Sequence, residues 1–274
     1  MNFCKSLKYN EKQFLENVCK ASISAYSIAS GHPGFEEETV LSHNKVTGWS
    51  VNLPIAKTCQ PSKVCINTCY FSKGGSSWPA SLTKQVRVYN SIKGDPKGTA
   101  SRIASECVKN KATYLRWNGG GDLFDESIEC LMEVSRILPE MPIWVVTRIP
   151  AMAAKVPDAK NVFVHFSLDR HSMDRRDKAL ALRPLNRKFF FSYQGEKGET
   201  PPDDIWTKVS VVFWDCYKMK ELPKWKKAGM ETICPLNWRR FEGKDICGTC
   251  ETCRRCFDSS ASKHARKFTR VAHP

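Results

Sequence analysis

Several features that would place this chain in a large protein class are absent. No apolar run approaches the roughly 18–20 residues that a membrane-spanning helix needs. The first residues lack the apolar stretch of a secretory signal peptide. There is no Walker phosphate loop, no Gly-x-Ser-x-Gly elbow and no His-Glu-x-x-His helix. We therefore expect a protein that is not exported, has no membrane partner, and belongs to none of these three enzyme classes.

Acidic residues are scarce relative to basic ones: the chain has 28 Asp and Glu but 43 Lys and Arg, which gives a net charge of +15. A positive field of this size favours polyanions, so we expect a nucleic-acid partner. A patch of lysines interleaved with an aromatic residue is the best candidate contact surface, although a solvated helix face has the same composition. The patch consists of Lys218, Lys220, Lys224, Trp225, Lys226 and Lys227.

The middle of the chain alternates short apolar runs with amphipathic segments. The runs at 113–117, 143–147, 162–167, 189–193 and 209–214 are predominantly apolar rather than alternating, as strands of a parallel sheet buried on both faces are. This pattern predicts an α/β fold, specifically a partial or full (β/α) barrel of parallel strands with a small C-terminal Cys-rich metal module. The expected parts are a helical and irregular lead-in (1–50), the barrel-like core (51–230), the Cys-rich module (231–258) and a basic flexible tail (259–274).

Polar residues follow most of these strands, and the carboxyl ends of parallel strands meet on one rim. We therefore expect these strand tips to gather there. They are Gly119–Asp122, Thr147-Arg148, Ser167–Asp169, Tyr193-Gln194 and Asp215-Cys216. The segment 169–178 that follows the third tip is mixed in charge and is predicted to be a solvated loop or helix.

The 13 cysteines are not randomly distributed, and in a chain without a secretory signal clustered cysteines indicate metal rather than disulfides. Four thiols recur at three-residue intervals near the C-terminus, so successive thiolates can reach one metal ion. Either zinc or an iron–sulfur cluster suits them. The predicted ligands are Cys234, Cys247, Cys250, Cys253 and Cys256.

A second group, Cys59, Cys65 and Cys69, lies in a loop after an early apolar segment. Three thiols leave one position open on a four-iron cluster or a metal ion, and an open position is where a substrate or cofactor binds. These cysteines could instead ligate nothing, or lend ligands to the C-terminal site. Cys107 and Cys130 fall on apolar helix faces and are predicted to be core residues.

The segment from Leu115 to Phe124 is predicted to form a strand, a glycine turn and a helix start. Gly119, Gly120 and Gly121 would let backbone N–H groups approach a ligand closely. Asp122 could bind an amine or act as a general base. A tight turn capped by an acid is the simpler interpretation of the same residues.

A three-cysteine loop followed by a Gly-Gly-acid turn resembles the radical S-adenosylmethionine enzymes. The resemblance implies that Cys59, Cys65 and Cys69 hold a four-iron cluster and that the turn from Gly119 to Asp122 binds S-adenosylmethionine. Thr147, Arg148 and Ser167 would line the rim, and the C-terminal cysteines would resemble an auxiliary cluster domain. The expected activity is an electron-initiated reaction on nucleic acid or a nucleotide.

The sequence also resembles a phage family known as gene product 88. The resemblance rests on Leu53-Pro54, Thr58-Cys59, Cys65, Cys69-Tyr70, Gly121-Asp122, Thr147-Arg148 and the tail Cys234-Pro235, Cys247, Cys250, Cys253. It covers residues 40–256 and implies metal binding and a phage origin, hence the cytoplasm of an infected bacterial host. It implies no particular activity.

Barrel transglycosylases that exchange guanine for a deazaguanine offer an alternative. In that resemblance Asp215 would be the nucleophile, Asp122 the base, and Cys247, Cys250, Cys253 and Cys256 a zinc site in which His264 could replace one thiol. It leaves Cys59, Cys65 and Cys69 without a role. A third hypothesis is a nucleic-acid-binding protein that metal sites stabilise and that has no catalytic activity.

Overall fold

A computed structural model describes residues 39–72, 74–184, 188–195, 209–214, 249–254 and 256–257. Its centre is a seven-stranded sheet in which the strands are neighbours in the same order as in the chain. The strands are β1 (Ser42–Asn44), β2 (Gly48–Val51), β3 (Leu115–Trp117), β4 (Ile143–Thr147), β5 (Val162–Leu168), β6 (Phe189–Gly195) and β7 (Val209–Trp214). β1 and β2 form an antiparallel pair, whereas β2 to β7 are all parallel.

Helices connect the parallel strands. They are α1 (Ile55–Thr58), α2 (Lys63–Thr68), α3 (Pro79–Gly94), α4 (Pro96–Lys109), α5 (Asp125–Ile137), α6 (Pro150–Lys155), α7 (Met173–Leu182) and, near the C-terminus, α8 (Cys250–Cys253). Two short 3-10 turns, Tyr70–Ser72 and Gly74–Ser77, lie between α2 and α3. Since parallel crossovers are right-handed, consecutive strand order places successive helices on the same face of the sheet.

Alternate residues of each strand face opposite sides of the sheet. Ile143 and Val145 of β4 pack in the main core with Leu131 and Val134 of α5. Trp144, between them, packs on the other face with Tyr114 and Phe257 from the C-terminal segment. The sheet is therefore buried on both sides, which explains its predominantly apolar strands.

The mixed α/β class and the parallel sheet are confirmed, whereas the closed barrel is not. Within the described residues β1 and β7 each have a single strand neighbour, so closure of the sheet is not seen. A separate Cys-rich module is likewise not seen in the described residues, where Cys250 and Cys256 pack against Tyr114, Trp144 and Phe257. Residues 1–38, which make up most of the predicted lead-in (1–50), lie outside the described residues.

The predicted core cysteines are confirmed: Cys107 on α4 and Cys130 on α5 are both buried. His165 is also buried, as expected of a residue inside an apolar strand. Among the described helices, none is long and apolar enough to cross a membrane.

Candidate functional site

The three cysteines of the early loop line one cavity, which we call the thiol pocket. It has a volume of about 190 Å³ and lies at the carboxyl ends of β3 to β6. Cys59 directly follows α1, Cys65 lies on α2, and Cys69 ends that helix. The other predicted site residues on its wall are Gly119, Gly120, Gly121, Asp122, Thr147, Arg148 and Ser167.

Local sequence positions the thiols. Pro54 and Thr58 bracket the single turn of α1, and the Thr58 hydroxyl donates to the Pro54 carbonyl oxygen over 3.1 Å. Ser62 caps α2, because its hydroxyl accepts the Cys65 N–H over 3.1 Å. The segment 53–72, which we call the Cys loop, therefore contains two short helices, of which α2 has a side-chain cap.

The thiols are close enough to influence one another. Burial raises the pKa of Cys59 well above its usual value, and the negative charges of Asp122, Cys65 and Cys69 raise it further. Burial also raises the pKa of Cys65, against the opposing effect of Arg148. Within the described residues, however, no group of three or more His, Cys, Asp or Glu side chains is arranged to hold a metal ion.

The glycine turn is shaped mainly by packing against the Cys loop. A Cβ on Gly120 would lie 2.1 Å from the Phe71 ring, and a Cβ on Gly121 would lie 2.5 Å from the Leu53 Cβ. Gly121 also has φ +86°, a conformation that favours glycine. The Leu53 N–H donates to the Gly120 carbonyl oxygen over 2.9 Å. The absence of side chains here therefore brings the Cys loop against the end of β3.

Asp122 is buried and fully engaged by the chain itself. One carboxylate oxygen accepts the Leu123 N–H over 2.7 Å and the other accepts the Arg148 N–H over 3.0 Å. Burial raises its pKa to about 6, against the lowering effect of hydrogen bonds from Thr147, Arg148 and Leu123. These bonds use most of the acceptor sites of the carboxylate, although Asp122 still lines the thiol pocket.

A buried polar network closes one end of the pocket. Arg148 donates from Nη1 to Asp169 Oδ2 and from Nη2 to Gln194 Oε1, both over 2.5 Å. Asp169 also accepts the Ser62 hydroxyl of the Cys loop and, over 2.9 Å, the His171 N–H. The loop is thus attached to the ends of β4, β5 and β6. Burial lowers the pKa of Arg148, but the charges of Cys65 and Asp169 outweigh burial and raise it.

Sequence reasoning assigned no role to Asp169 and expected its segment to be solvated. The segment does contain the largely exposed α7, but Asp169 itself is fully buried. Gln194 and Asp169 were visible only as polar strand tips. Ser62 gave no signal at all, because its partner lies 107 residues further along the chain.

Arg116 and Tyr70 form the other end of the thiol pocket. The Arg116 guanidinium donates from Nη2 to the Tyr70 hydroxyl over 2.5 Å, and that hydroxyl donates to the Gly119 carbonyl oxygen over 2.6 Å. The guanidinium also lies 5.0 Å from the Trp144 ring centroid. Burial lowers its pKa, but Tyr70 and Cys250 outweigh burial and raise it.

The C-terminal cysteines lie on the sheet face opposite the main core. Phe257 stacks on Tyr114 with ring centroids 4.3 Å apart, and the Cys250 N–H donates to the Val46 carbonyl oxygen over 2.9 Å. His165 Nε2 hydrogen-bonds to the Cys256 carbonyl oxygen over 2.7 Å. The thiols of Cys250, Cys253 and Cys256 are partly buried and are not part of the thiol pocket.

The remaining predicted site residues lie outside the described residues. They are Cys234, Cys247, Asp215, Lys218, Lys220, Lys224, Trp225, Lys226 and Lys227.

Fold and site together define a mixed α/β protein with a thiol-lined pocket at the carboxyl ends of its parallel strands. A family model described as Gene product 88 matches residues 26–259, which is most of the chain. The chain therefore belongs to the gene product 88 family of phage proteins. No curated protein and no solved structure matches it.

Proposed function

We propose that this phage protein is a metal-dependent enzyme that holds an iron–sulfur cluster on Cys59, Cys65 and Cys69 and acts on nucleic acid or a nucleotide. The observation that carries the proposal is the shared cavity. Three thiols from one loop line the same pocket as the glycine turn and Arg148. Cavities at the carboxyl ends of parallel strands are the usual reaction sites of such folds.

The donor set fits such a cluster in kind, because iron–sulfur clusters are held by cysteine thiolates. Burial raises the pKa of Cys59 and Cys65, so both favour the neutral thiol when no cation is near. A bound cation reverses this preference, since coordination deprotonates a thiol. The described thiols are not closed around one point, so the proposal requires the loop to draw them together when the cluster binds.

When bound, the cluster would supply an electron to a cofactor at its open position. S-adenosylmethionine is the cofactor that the resemblance to radical enzymes suggests. The glycine turn would meet it through its backbone, and Arg148 would present a cationic edge that Asp169 and Gln194 hold in place. Ile55, Phe71 and Trp144 line the same pocket and would exclude water from it.

The C-terminal cysteines would form a second metal centre, completed by Cys234 and Cys247. Within the proposal the parallel sheet curves as a partial barrel around the thiol pocket, and the C-terminal centre closes the face opposite the helices. Docking of Phe257 on Tyr114 supports this placement. The site of action would be the cytoplasm of an infected bacterial cell.

Base exchange by a zinc-containing transglycosylase is the second candidate. It is favoured by the position of Asp215 in the sequence, directly after the parallel strand β7. The engagement of both Asp122 oxygens weighs against that residue as the base. A third candidate, a metal-stabilised nucleic-acid-binding protein without catalysis, would share the metal centres.

Metal and acid-labile sulfide content after anaerobic purification tests the proposal. We expect iron with matching sulfide and a broad visible absorbance in the unmodified protein. Cys65→Ala should lose the iron assigned to the loop, whereas Cys130→Ala, which removes a buried core thiol, should keep it. Zinc alone in a colourless protein would contradict the cluster and favour base exchange, to be tested with Asp215→Ala.

Activity separates the enzyme from the binding protein. With reductant and S-adenosylmethionine, we expect release of 5′-deoxyadenosine or methionine by the unmodified protein and by Cys130→Ala, but not by Cys65→Ala. An intact cluster without either product would rule out the radical reaction and leave the non-catalytic candidate.

A further inference from the structure

We propose that a second cavity, separate from the thiols, binds the phosphate group of a nucleotide unit of the substrate. This cavity, the polar cleft, has a volume of about 250 Å³ and lies between β1, β2, the Tyr70 turn and the start of α3. The inference rests on the proposed function for the identity of the substrate. The binding itself needs no metal.

The charge of the polar cleft favours an anion. Lys84 and Arg116 line it, and none of the described residues that line it is Asp or Glu. Hydroxyl and amide side chains supply most of the remaining wall, including Ser42, Ser50 and Ser81. Cations combined with such neutral donors are the groups that proteins use to hold phosphate.

The environment of the Arg116 guanidinium is the central observation. Its only hydrogen-bond partner in the described part of the chain is the Tyr70 hydroxyl, and no carboxylate there forms an ion pair with it. Its Nε is buried and has no partner among these residues. The side chain is only partly buried and packs over the Trp144 ring, but no carboxylate among the described residues neutralises its charge, so an anion in the cleft would be favourably placed.

The same wall favours a nucleotide over inorganic phosphate. The buried oxygens Asn52 Oδ1 and Gln85 Oε1 have no hydrogen-bond donor among the described residues. Hydroxyl and amino groups, which a nucleotide carries and phosphate at neutral pH largely lacks, would supply donors. Tyr70 and Phe71, which line the cleft, offer aromatic surface on which a base could stack.

The two cavities share a wall made by Tyr70, Phe71, Arg116 and Gly119. A phosphate held at Arg116 would therefore place the rest of the nucleotide at the entrance to the thiol pocket. This arrangement assigns binding to one cavity and chemistry to the other.

Binding of 5′-dTMP, thymidine, inorganic phosphate and a short oligothymidylate to the protein as purified tests the proposal. We expect 5′-dTMP to bind and thymidine to bind at least about tenfold more weakly, because it lacks the charged group. Arg116→Gln should weaken 5′-dTMP binding by a similar factor. Arg136→Gln removes the same charge from an exposed side chain on α5 and should leave binding unchanged.

Ser81→Asp keeps the test decisive if Arg116→Gln fails to fold. Ser81 lies in the first turn of α3, where an acid suits the helix dipole, yet it lines the polar cleft. Its control is Ala80→Asp, which adds the same charge to a neighbouring exposed position outside the cleft. Ser81→Asp should weaken binding at least about tenfold relative to Ala80→Asp.

The proposal would be overturned if Ser81→Asp and Ala80→Asp weakened 5′-dTMP binding equally. It would also be overturned if thymidine, or inorganic phosphate, bound as tightly as 5′-dTMP. If oligothymidylate bound more tightly than 5′-dTMP and lost this binding in Ser81→Asp, the result would support the proposal and identify the bound phosphate as part of a nucleic-acid strand. Iron content, measured in the same preparations, should not change with Ser81→Asp. Failure of this inference is therefore distinguishable from failure of the proposed cluster.

Discussion

Arg148 and Asp169 form a buried ion pair at the strand ends, with Nη1 and Oδ2 2.5 Å apart and both side chains almost fully shielded from water. Such a pair does little for stability by itself, but breaking it leaves one charge buried and unpaired. Because Asp169 also accepts the Ser62 hydroxyl, this pair connects the sheet to the Cys loop.

Asp169→Asn should therefore destabilise the protein strongly, by about 3–5 kcal/mol in the free energy of unfolding, because it leaves the Arg148 guanidinium without its counter-ion. Chemical denaturation measures this change. The control is Glu140→Gln, which breaks an ion pair with Lys160 whose two side chains are both exposed, and it should have little effect. Equal stability of the two variants would show that the buried pair is unimportant.

The contact between Gly120 and Phe71 gives a second prediction. Gly120→Ala places a Cβ 2.1 Å from the Phe71 ring, so the Cys loop must move away from the turn. We expect a loss of about 1–3 kcal/mol of stability, as for overpacking in a core. We also expect faster alkylation of Cys69, because Phe71 lies in the 3-10 turn that follows it.

Gly94→Ala is the matched control for Gly120→Ala. Gly94 ends α3, and a Cβ there meets nothing within 4 Å. The same substitution should be neutral or slightly stabilising at this position, because alanine restricts the unfolded chain. A destabilisation as large as that of Gly120→Ala would mean that steric contact with Phe71 is not the cause.

Thiol reactivity should separate the core cysteines from the loop cysteines. Burial raises the pKa of Cys107 to about 12 and also raises that of Cys130, so neither forms a reactive thiolate at pH 8. After removal of metal with a chelator, native-state alkylation followed by peptide mass spectrometry should label the partly exposed Cys69 before the buried Cys107 and Cys130. Labelling of all of these sites at one rate would indicate that the chelated protein has unfolded.

The strands and most helices were predictable because their signal is local. β4 and β7 have the predicted bounds, and Pro96 at the start of α4 follows the capping Asp95, as a first-turn proline should. β1 and α3 were not predicted. β1 has only three residues, and most of the α3 surface is polar, so neither shows a clear hydrophobic period.

The site was predictable only in part, for a related reason. The rule that parallel strand ends share one rim predicted that Asp122, Arg148 and Ser167 lie together. It could not reveal that Asp169 binds the Cys loop, because that contact joins residues far apart in sequence. Nor could it show that Phe71 and Leu53 pack closely against the glycine turn, which also lines the thiol pocket, since the sequence pattern of a packed turn and of a ligand-binding turn is the same.

Docking of the C-terminal segment on the sheet gives the last prediction. Phe257 is 1% exposed and stacks on Tyr114, whereas His165 hydrogen-bonds to the neighbouring Cys256 carbonyl oxygen. Phe257→Ala should lower the free energy of unfolding by about 3–5 kcal/mol where the segment stays docked.

Where the segment instead detaches, limited proteolysis should cleave after the nearby Arg254 faster than in the unmodified protein. Leu182→Ala, at a side chain that is 57% exposed, should change neither stability nor cleavage. Because α8 carries Cys250 and Cys253, detachment should also lower the metal content of the proposed C-terminal centre, while any iron held by the early loop should be retained. Loss of both metals together would show instead that the two cysteine groups share one centre.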